Sequence, residues 1–236
     1  MLHLMAKRGK VRNTGYFISF EGGEGSGKST QMRRLVSWLE GEGVSVIVSK
    51  EPGGTEIGRK IREILLNPET KGLTSRSELL LYEADRAQHA EEVLRPALQG
   101  GKIIVSDRFA DSSTVYQGIS RGLGRKWVET LNHFATQGIE PDAVILLDLP
   151  EEVGLKRIRS RLKTDVWLGG VRRKVKLDRL DREKRSFHRL VRKGFLSLAR
   201  SYPKRFTVLD AGKSETELAL EIQALVKAKL KRRQLW

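Results

Sequence analysis

Gly22, Gly27, Lys28 and Ser29 stand in the order Gly-x-x-x-x-Gly-Lys-Ser within FEGGEGSGKST, residues 20–30. Those residue types at that spacing suit the handling of nucleotide phosphates. Glycines let successive backbone N–H groups curl around phosphate oxygens without Cβ clashes, and the N-terminus of a following helix adds partial positive charge. The stretch Gly22, Gly23, Glu24, Gly25, Ser26, Gly27, Lys28, Ser29, Thr30 is therefore a candidate cradle for ATP. In it Lys28 is placed to reach the β- and γ-phosphates, and the Ser29 hydroxyl to ligate Mg2+.

The loop alone does not say where the γ-phosphate goes. A GTPase needs a guanine-reading Asn-Lys-x-Asp stretch, and the sequence has none. An ATPase or helicase needs a residue that positions water, and a small-molecule kinase needs a second anion site facing the γ-phosphate. Three later segments offer such a site: EPGGTEIG (51–58), LLYEADRAQH (80–89) and DRFADSSTVYQG (107–118). Tyr82 and Arg86 are four residues apart and share one helical face. With Arg108 at a strand end they suit a phosphate and a flat base. Taken singly, each has a plainer alternative. Tyr82 can be core, Arg86 a surface ion pair with Glu83, Arg108 a cap on a sheet edge, and Glu24 a solvated loop acid.

These residues must be held by something, and the hydrophobic pattern supplies it. Short apolar runs at 16–20, 44–50, 102–107, 143–149 and 205–210 read as strands. Helical spacing follows Lys28 and covers 57–66, 75–99 and 214–230. Apolar strands alternating with helices imply an α/β fold: a five-stranded parallel sheet with helices on both faces. Right-handed crossovers put all strand carboxyl ends on one edge, where ligands bind, and every segment named above falls there. No repeat or linker divides the chain, so a single domain is expected over 15–230, with basic extensions at 1–14 and 231–236.

Composition narrows the partners. The 236 residues carry 45 Lys and Arg against 29 Asp and Glu, so anionic partners are expected. Residues 156–193 alone hold sixteen basic against four acidic residues. With no cysteine there is neither a disulfide framework nor a thiolate metal site. No apolar stretch approaches the ~18 residues of a membrane span. Residues 1–14 lack the apolar core of a secretory signal, so a cytoplasmic protein is expected.

Together, the phosphate loop, EPGGT, YEADRAQH, DRFADSSTVYQG, LDLPEEVGLKR and LDRLDRE resemble the thymidylate kinases of bacterial type, over about residues 15–228. The resemblance implies a P-loop kinase fold, ATP and dTMP as substrates, Mg2+, and a homodimer. Carried over by position, Tyr82 stacks on thymine, Arg86 reads the base edge, and Ser113 and Gln117 line the base pocket. Arg108 grips the dTMP phosphate with Asp107 near Mg2+. Tyr116 crowds the sugar C2′ and Glu24 lies close to the 3′-hydroxyl. Arg157 packs over adenine, and Asp210 and Ala211 floor the adenine site.

The resemblance also implies a mobile basic lid over about 155–180. Some members carry an arginine inside the phosphate loop, but here that position is Gly25, so a lid arginine, Arg161 or Arg179, is expected at the γ-phosphate. The segment between Arg161 and Asp178 is longer than the family's, which leaves Arg172 and Arg173 as further candidates. Gly169 and Gly170 predict a turn in that insertion, within a small hairpin. Two rival readings stand beside this one. The first is another P-loop nucleotide or deoxynucleoside kinase. The second is a nucleic-acid-binding P-loop ATPase, motivated by the basic charge but short of stacking aromatics, since Trp167 and Phe187 are the only ones in the basic stretch.

Overall fold

The computed structural model describes residues 14–161, 165–168, 171–174 and 177–236, with side chains described outside 161–176. The expected extension at 1–14 therefore lies outside the described residues except for Thr14. The side chains of Arg161, Arg172 and Arg173 lie outside them too, as do Gly169 and Gly170.

The strands β1 (Tyr16–Glu21), β2 (Val46–Lys50), β3 (Ile103–Asp107) and β4 (Ala143–Asp148) belong to one sheet. β5 (Asp165–Leu168) and β6 (Val171–Lys174) form a separate antiparallel pair, the small hairpin expected from the sequence. β7 (Phe206–Asp210) completes the main sheet, whose order is β2-β3-β1-β4-β7 with every pairing parallel. The helices in chain order are α1 (Lys28–Gly41), α2 (Glu56–Leu66), α3 (Ser75–His89), α4 (Arg95–Gln99), α5 (Ala110–Ser113), α6 (Arg125–Thr136), α7 (Glu151–Arg161), α8 (Arg185–Ser201) and α9 (Glu215–Arg232).

The sheet is covered on both faces, which is why its strands read as apolar runs rather than alternating ones. Ile18, Phe20, Val105 and Ile145 pack on one side against Leu35, Leu39, Ile222 and Val226 from α1 and α9. On the other side Val144 and Leu146 meet Val191, Phe195 and Leu198 of α8, and Phe17 and Ile104 meet Leu94, Leu98 and Phe109. The long helix expected over 75–99 is continuous but not uniform, because Ala90–Leu94 widens into a π-helical turn between α3 and α4.

Caps set two of the helix starts that matter for the site. Thr55 of EPGGT accepts from the Gly58 N–H at 2.9 Å and begins α2. Ser214 and Glu217 form a reciprocal capping box that begins α9. Each such cap contributes ~1 kcal/mol. At the chain's end Trp236 stacks on Trp38 of α1 at 4.9 Å, so these last residues pack on the core beside α9. Among the described residues no helix is long and apolar enough to cross a membrane.

Register aligns the carboxyl ends. Phe20 sits beside Asp107, Asp107 beside Lys50, and Asp148 beside Asp210. Acidic residues thus close β1, β3, β4 and β7 along one edge, directly under the phosphate loop.

Candidate active site

The phosphate loop runs from the end of β1 into α1. Gly27 adopts φ 93°, and its carbonyl accepts from the N–H groups of Thr30 and Gln31 as the helix begins. Lys28 is buried and arches back over the loop, its Nζ donating to the carbonyls of Gly22 at 3.0 Å and Gly23 at 2.9 Å. Burial lowers its pKa and Arg108 adds to that, against the pull of Glu24, Asp107 and Glu21. Ser29 donates its hydroxyl to Asp107 Oδ2 at 2.9 Å, joining α1 to the end of β3.

Glycine is dictated at Gly25. Its φ of 71° is left-handed, and a Cβ there would lie 2.3 Å from the Gly154 carbonyl oxygen on α7. Gly154 in turn has no room for a Cβ, which would lie 2.2 Å from the Glu24 carbonyl oxygen. Two bare backbones therefore touch, and α7 is drawn against the loop. An arginine at position 25 would have to displace that helix.

Arg108 also has a left-handed φ, 71°, in a side-chain-bearing position. Buried contacts hold it there. Its N–H donates to the Phe20 carbonyl at 3.0 Å, and its carbonyl accepts from Ser106 Oγ at 2.8 Å. Glu21 fixes the following turn by accepting from the Phe109 N–H at 2.8 Å and Ser112 Oγ at 2.6 Å. The guanidinium then faces the loop. It donates to Gly22 O and Ser112 Oγ, each at 3.1 Å, to Glu24 Oε1 at 2.5 Å and to the Tyr116 hydroxyl at 3.1 Å. Tyr116 lies under it at 5.0 Å and donates to Glu24 Oε1 at 2.7 Å.

Charge is strongly coupled here. Burial pushes the Glu24 carboxyl up, but Arg108 and Lys28 outweigh it and bring its pKa down to about 2. For Glu21 burial wins, helped by Asp111, and its pKa rises to about 8. Burial likewise raises the Tyr116 hydroxyl, whereas for Arg108 its acidic neighbours, Glu24 first, outweigh burial and raise its pKa.

Arg86 and Tyr82 form the far wall of a cleft of about 550 Å3, shared with the loop, Asp107, Arg108, Ser113, Tyr116 and Gln117. The pair of Arg86 with Glu83, 2.7 Å, exists, but it is buried rather than on the surface. Arg86 also donates to Glu51 at 2.9 Å, Asn132 at 2.7 Å and Ser113 Oγ at 3.0 Å. Glu51 is anchored in turn by His89 Nδ1 at 2.7 Å, and the other ring nitrogen meets Ser49 Oγ. Tyr82 is buried and still lines the cleft, so core packing and a place at the site coincide. Tyr116 and Gln117 ride on a π-helical stretch, Thr114–Ser120, a conformation that recurs at functional sites.

Arg157, Asp210 and Ala211 gather on the other flank of the loop. Arg157 donates to Ala211 O at 3.2 Å and Gly25 O at 3.4 Å, and Asp210 Oδ1 accepts from the Gly212 N–H at 2.8 Å. Arg179 is engaged elsewhere. It donates from its backbone to Leu66 O at 3.1 Å and from Nε to Leu65 O at 2.8 Å, and it pairs with Glu78 at 2.5 Å. It thereby caps the carboxyl end of α2.

Several partners of these residues escaped the sequence reading: Glu21, Glu51, Glu78, His89 and Asn132. Two were visible in principle. Glu78, Tyr82 and Arg86 recur every fourth residue on one face of α3, and Glu21 directly follows the apolar run 16–20 and precedes the glycines.

The residues suit a divalent cation of the Mg2+ kind. Ser29 and Asp107 bring a hydroxyl and a carboxylate together, both hard oxygen donors. Few protein ligands are the norm where phosphates and water complete the shell.

A family model described as Thymidylate kinase matches residues 20–222 of this chain. The thymidylate kinase of Desulfovibrio desulfuricans is 43% identical over 217 residues, covering 92% of this chain and 97% of the relative. That of Desulfosudis oleivorans is 48% identical over 204 residues, covering 86% and 92%. The crystal structure of thymidylate kinase from Ehrlichia chaffeensis superposes with a TM-score of 0.69 at 29% identity, over 90% of this chain and 98% of that one.

Proposed function

The chain belongs to the thymidylate kinase family and moves the γ-phosphate of ATP onto dTMP to give dTDP, and we propose that the cleft between the phosphate loop and Arg108 is where the two phosphates meet. The observation that carries this reading is the convergence of Lys28 and Arg108 on one backbone carbonyl, that of Gly22, at 3.0 and 3.1 Å, in a cleft that both side chains line. Two cations so placed face two anionic substrates.

The transfer asks mainly for alignment and charge neutralisation, since its transition state is loose. The dTMP phosphate is already anionic at neutral pH and attacks without a strong base. Lys28 holds the donor phosphates through its ammonium, and Arg108 holds the acceptor phosphate. Their preorganised charge offsets the repulsion between the two clusters. Ser29 and Asp107 would hold Mg2+, which would supply charge neutralisation for the transferring phosphate. Glu24 keeps Arg108 aimed and lies near the sugar 3′-hydroxyl, and Tyr116 shapes the space at C2′. Tyr82, Arg86, Ser113 and Gln117 take the base, while Arg157, Asp210 and Ala211 take adenine. A lid arginine over 155–180 completes the γ-phosphate site within a single catalytic domain, 15–230, and lid closure excludes water.

The basic charge supports this enzyme reading over a nucleic-acid-binding one. Arg185 pairs with Glu152, Arg189 with Glu151, Arg192 with Asp148 and Arg205 with Asp111, so part of the basic charge after residue 180 is matched internally. A cytoplasmic homodimer is part of the proposal. Ile57 and Ile64 on α2, Leu80 on α3, and Trp127 and Phe134 on α6 are exposed on helices that pack side by side, with Phe134 80% exposed. A second copy would cover them, and sedimentation of Phe134→Asp should then show a monomer where the parent chain shows a dimer.

The deciding experiment is Lys28→Ala in a coupled assay with ATP and dTMP. Removal of one preorganised charge contact should cost about 10²–10³ in kcat/KM with the fold intact by circular dichroism. Near-native transfer would place the chemistry elsewhere.

A further inference from the structure

Gln117 and Glu78 are each 1% exposed, and Gln117 Nε2 donates to Glu78 Oε1 at 2.7 Å. An ionised carboxylate offers acceptors only, so a buried amide beside it must turn its NH2 group inward. Glu78 is kept ionised. Burial works against its charge, but the Gln117 hydrogen bond and the guanidinium groups of Arg121 and Arg179 outweigh burial and lower its pKa. Arg121 lies at 3.2 Å from Oε2 and Arg179 at 2.5 Å. The amide is therefore locked, and its oxygen is the end left for the cleft that Gln117 lines, with no donor to it among the described residues.

We propose that Glu78 is a positioning residue that sets the hydrogen-bond polarity of the base pocket: by locking Gln117 it presents an acceptor to the base and selects pyrimidines bearing N3–H over aminopyrimidines. The inference rests on reading the cleft as the dTMP site. Thymine offers an acceptor at O4 and a donor at N3. On the protein, four of the five Arg86 donors are spent on Glu51, Glu83, Asn132 and Ser113, which leaves one N–H on the terminal nitrogen that faces Ser113. One remaining donor and one locked acceptor match the thymine edge. A cytosine edge is the reverse, with an amino group at C4 and a lone pair at N3. Such a mismatch is rejected strongly, because buried groups are left facing their own kind.

Glu78 reaches this position from α3, one turn before Tyr82. Glu78 is not among the residues that line the cleft, so its effect should reach the substrate through Gln117 and fall on base choice.

The test is the ratio of kcat/KM for dTMP over 5-methyl-dCMP, which keeps the methyl group and changes only the edge. Glu78→Gln offers either end of an amide to Gln117, so the lock is lost and the ratio should fall by about tenfold or more. Gln117→Leu removes the acceptor while leaving Arg121 and Arg179 on Glu78, and should lower the ratio as well. If Glu78→Gln slows both substrates by the same factor, Glu78 is only a scaffold and the inference is overturned. If Glu78→Gln fails to fold, Gln117→Leu decides, and an unchanged ratio there overturns the inference too. A parent chain that did not favour dTMP at all would instead defeat the dTMP-site reading beneath it.

Discussion

The hydroxyl of Ser29 and the carboxylate of Asp107, 78 residues apart in sequence, meet at 2.9 Å where the phosphate loop faces the end of β3. Strand register fixes this meeting, because Asp107 lies beside Phe20 at the end of β1, just before the loop. If these two oxygens hold Mg2+, Asp107→Asn should raise the Mg2+ concentration for half-maximal activity about 10- to 100-fold. Chelation should abolish transfer in the parent chain. A Mg2+ titration curve that does not move would remove Asp107 from the metal site.

Arg179 is tied to the carbonyl of Leu65 and to Glu78, so in this arrangement its charge is already used. We expect single alanine substitutions to separate two kinds of arginine in the segment 155–180. Arg179→Ala should lower Tm by roughly 2–12 °C, from the ~1–3 kcal/mol of charge-assisted bonds it would lose. The large fall in kcat should come at Arg161, Arg172 or Arg173. The reverse pattern, with Arg179→Ala giving the deepest kcat loss at unchanged Tm, would mean that Arg179 leaves α2 to reach the γ-phosphate.

What could be read from the sequence and what could not divide along physical lines. The strands and the phosphate loop are local, set by short apolar runs and by glycines next to one another. The parallel sheet follows from their alternation with helices. The edge strand β2 was overextended, at 44–50 against Val46–Lys50. The supports of the site are another matter. Arg86 meets Glu51 across 35 residues and Ser113 across 27, and Glu21 reaches Phe109 across 88. Such contacts depend on which strand ends become neighbours, and a pattern read along one segment does not contain that order. Gly25 is an intermediate case. Its identity was plain, yet its reason, the approach of Gly154 from α7, is a tertiary contact.

Glu21 makes a prediction about pH. Its carboxyl is buried and its pKa is raised from 4.5 to about 8, whereas in the unfolded chain it titrates at its ordinary value. Between those limits the folded state binds the extra proton, so stability falls as pH rises. The contribution is full below about 4.5 and gone above about 8, and at roughly 1.4 kcal/mol per pH unit it amounts to several kcal/mol. Denaturant melts from pH 5 to pH 9 should show this decline in the parent chain and a flatter profile in Glu21→Gln. Parallel profiles for the two proteins would mean that Glu21 is ionised in the folded state and simply paired with Arg108.

Acceptor choice should follow from the other side of Arg108. Tyr116 is held by its hydroxyl to Glu24 at 2.7 Å and to Arg108 at 3.1 Å, and its ring is pinned between the guanidinium and the edges of Phe187 and Phe195. A ring that cannot retreat is a wall, and a ribose 2′-hydroxyl placed against it meets a steric cost. The expected order is dTMP first, dUMP weaker, and UMP and purine monophosphates negligible. One methyl group in an apolar pocket contributes ~1–3 kcal/mol, so dUMP should be slowed rather than refused. Tyr116→Phe keeps the wall and loses only the hydroxyl's bonds, so it should lower kcat/KM for dTMP while leaving the preference over UMP intact. Tyr116→Ala should erode that preference. Equal loss of the preference in both variants would mean that the hydroxyl network, rather than the ring, reads the sugar. A parent chain that phosphorylated UMP or AMP as well as dTMP would show that Tyr116 guards nothing.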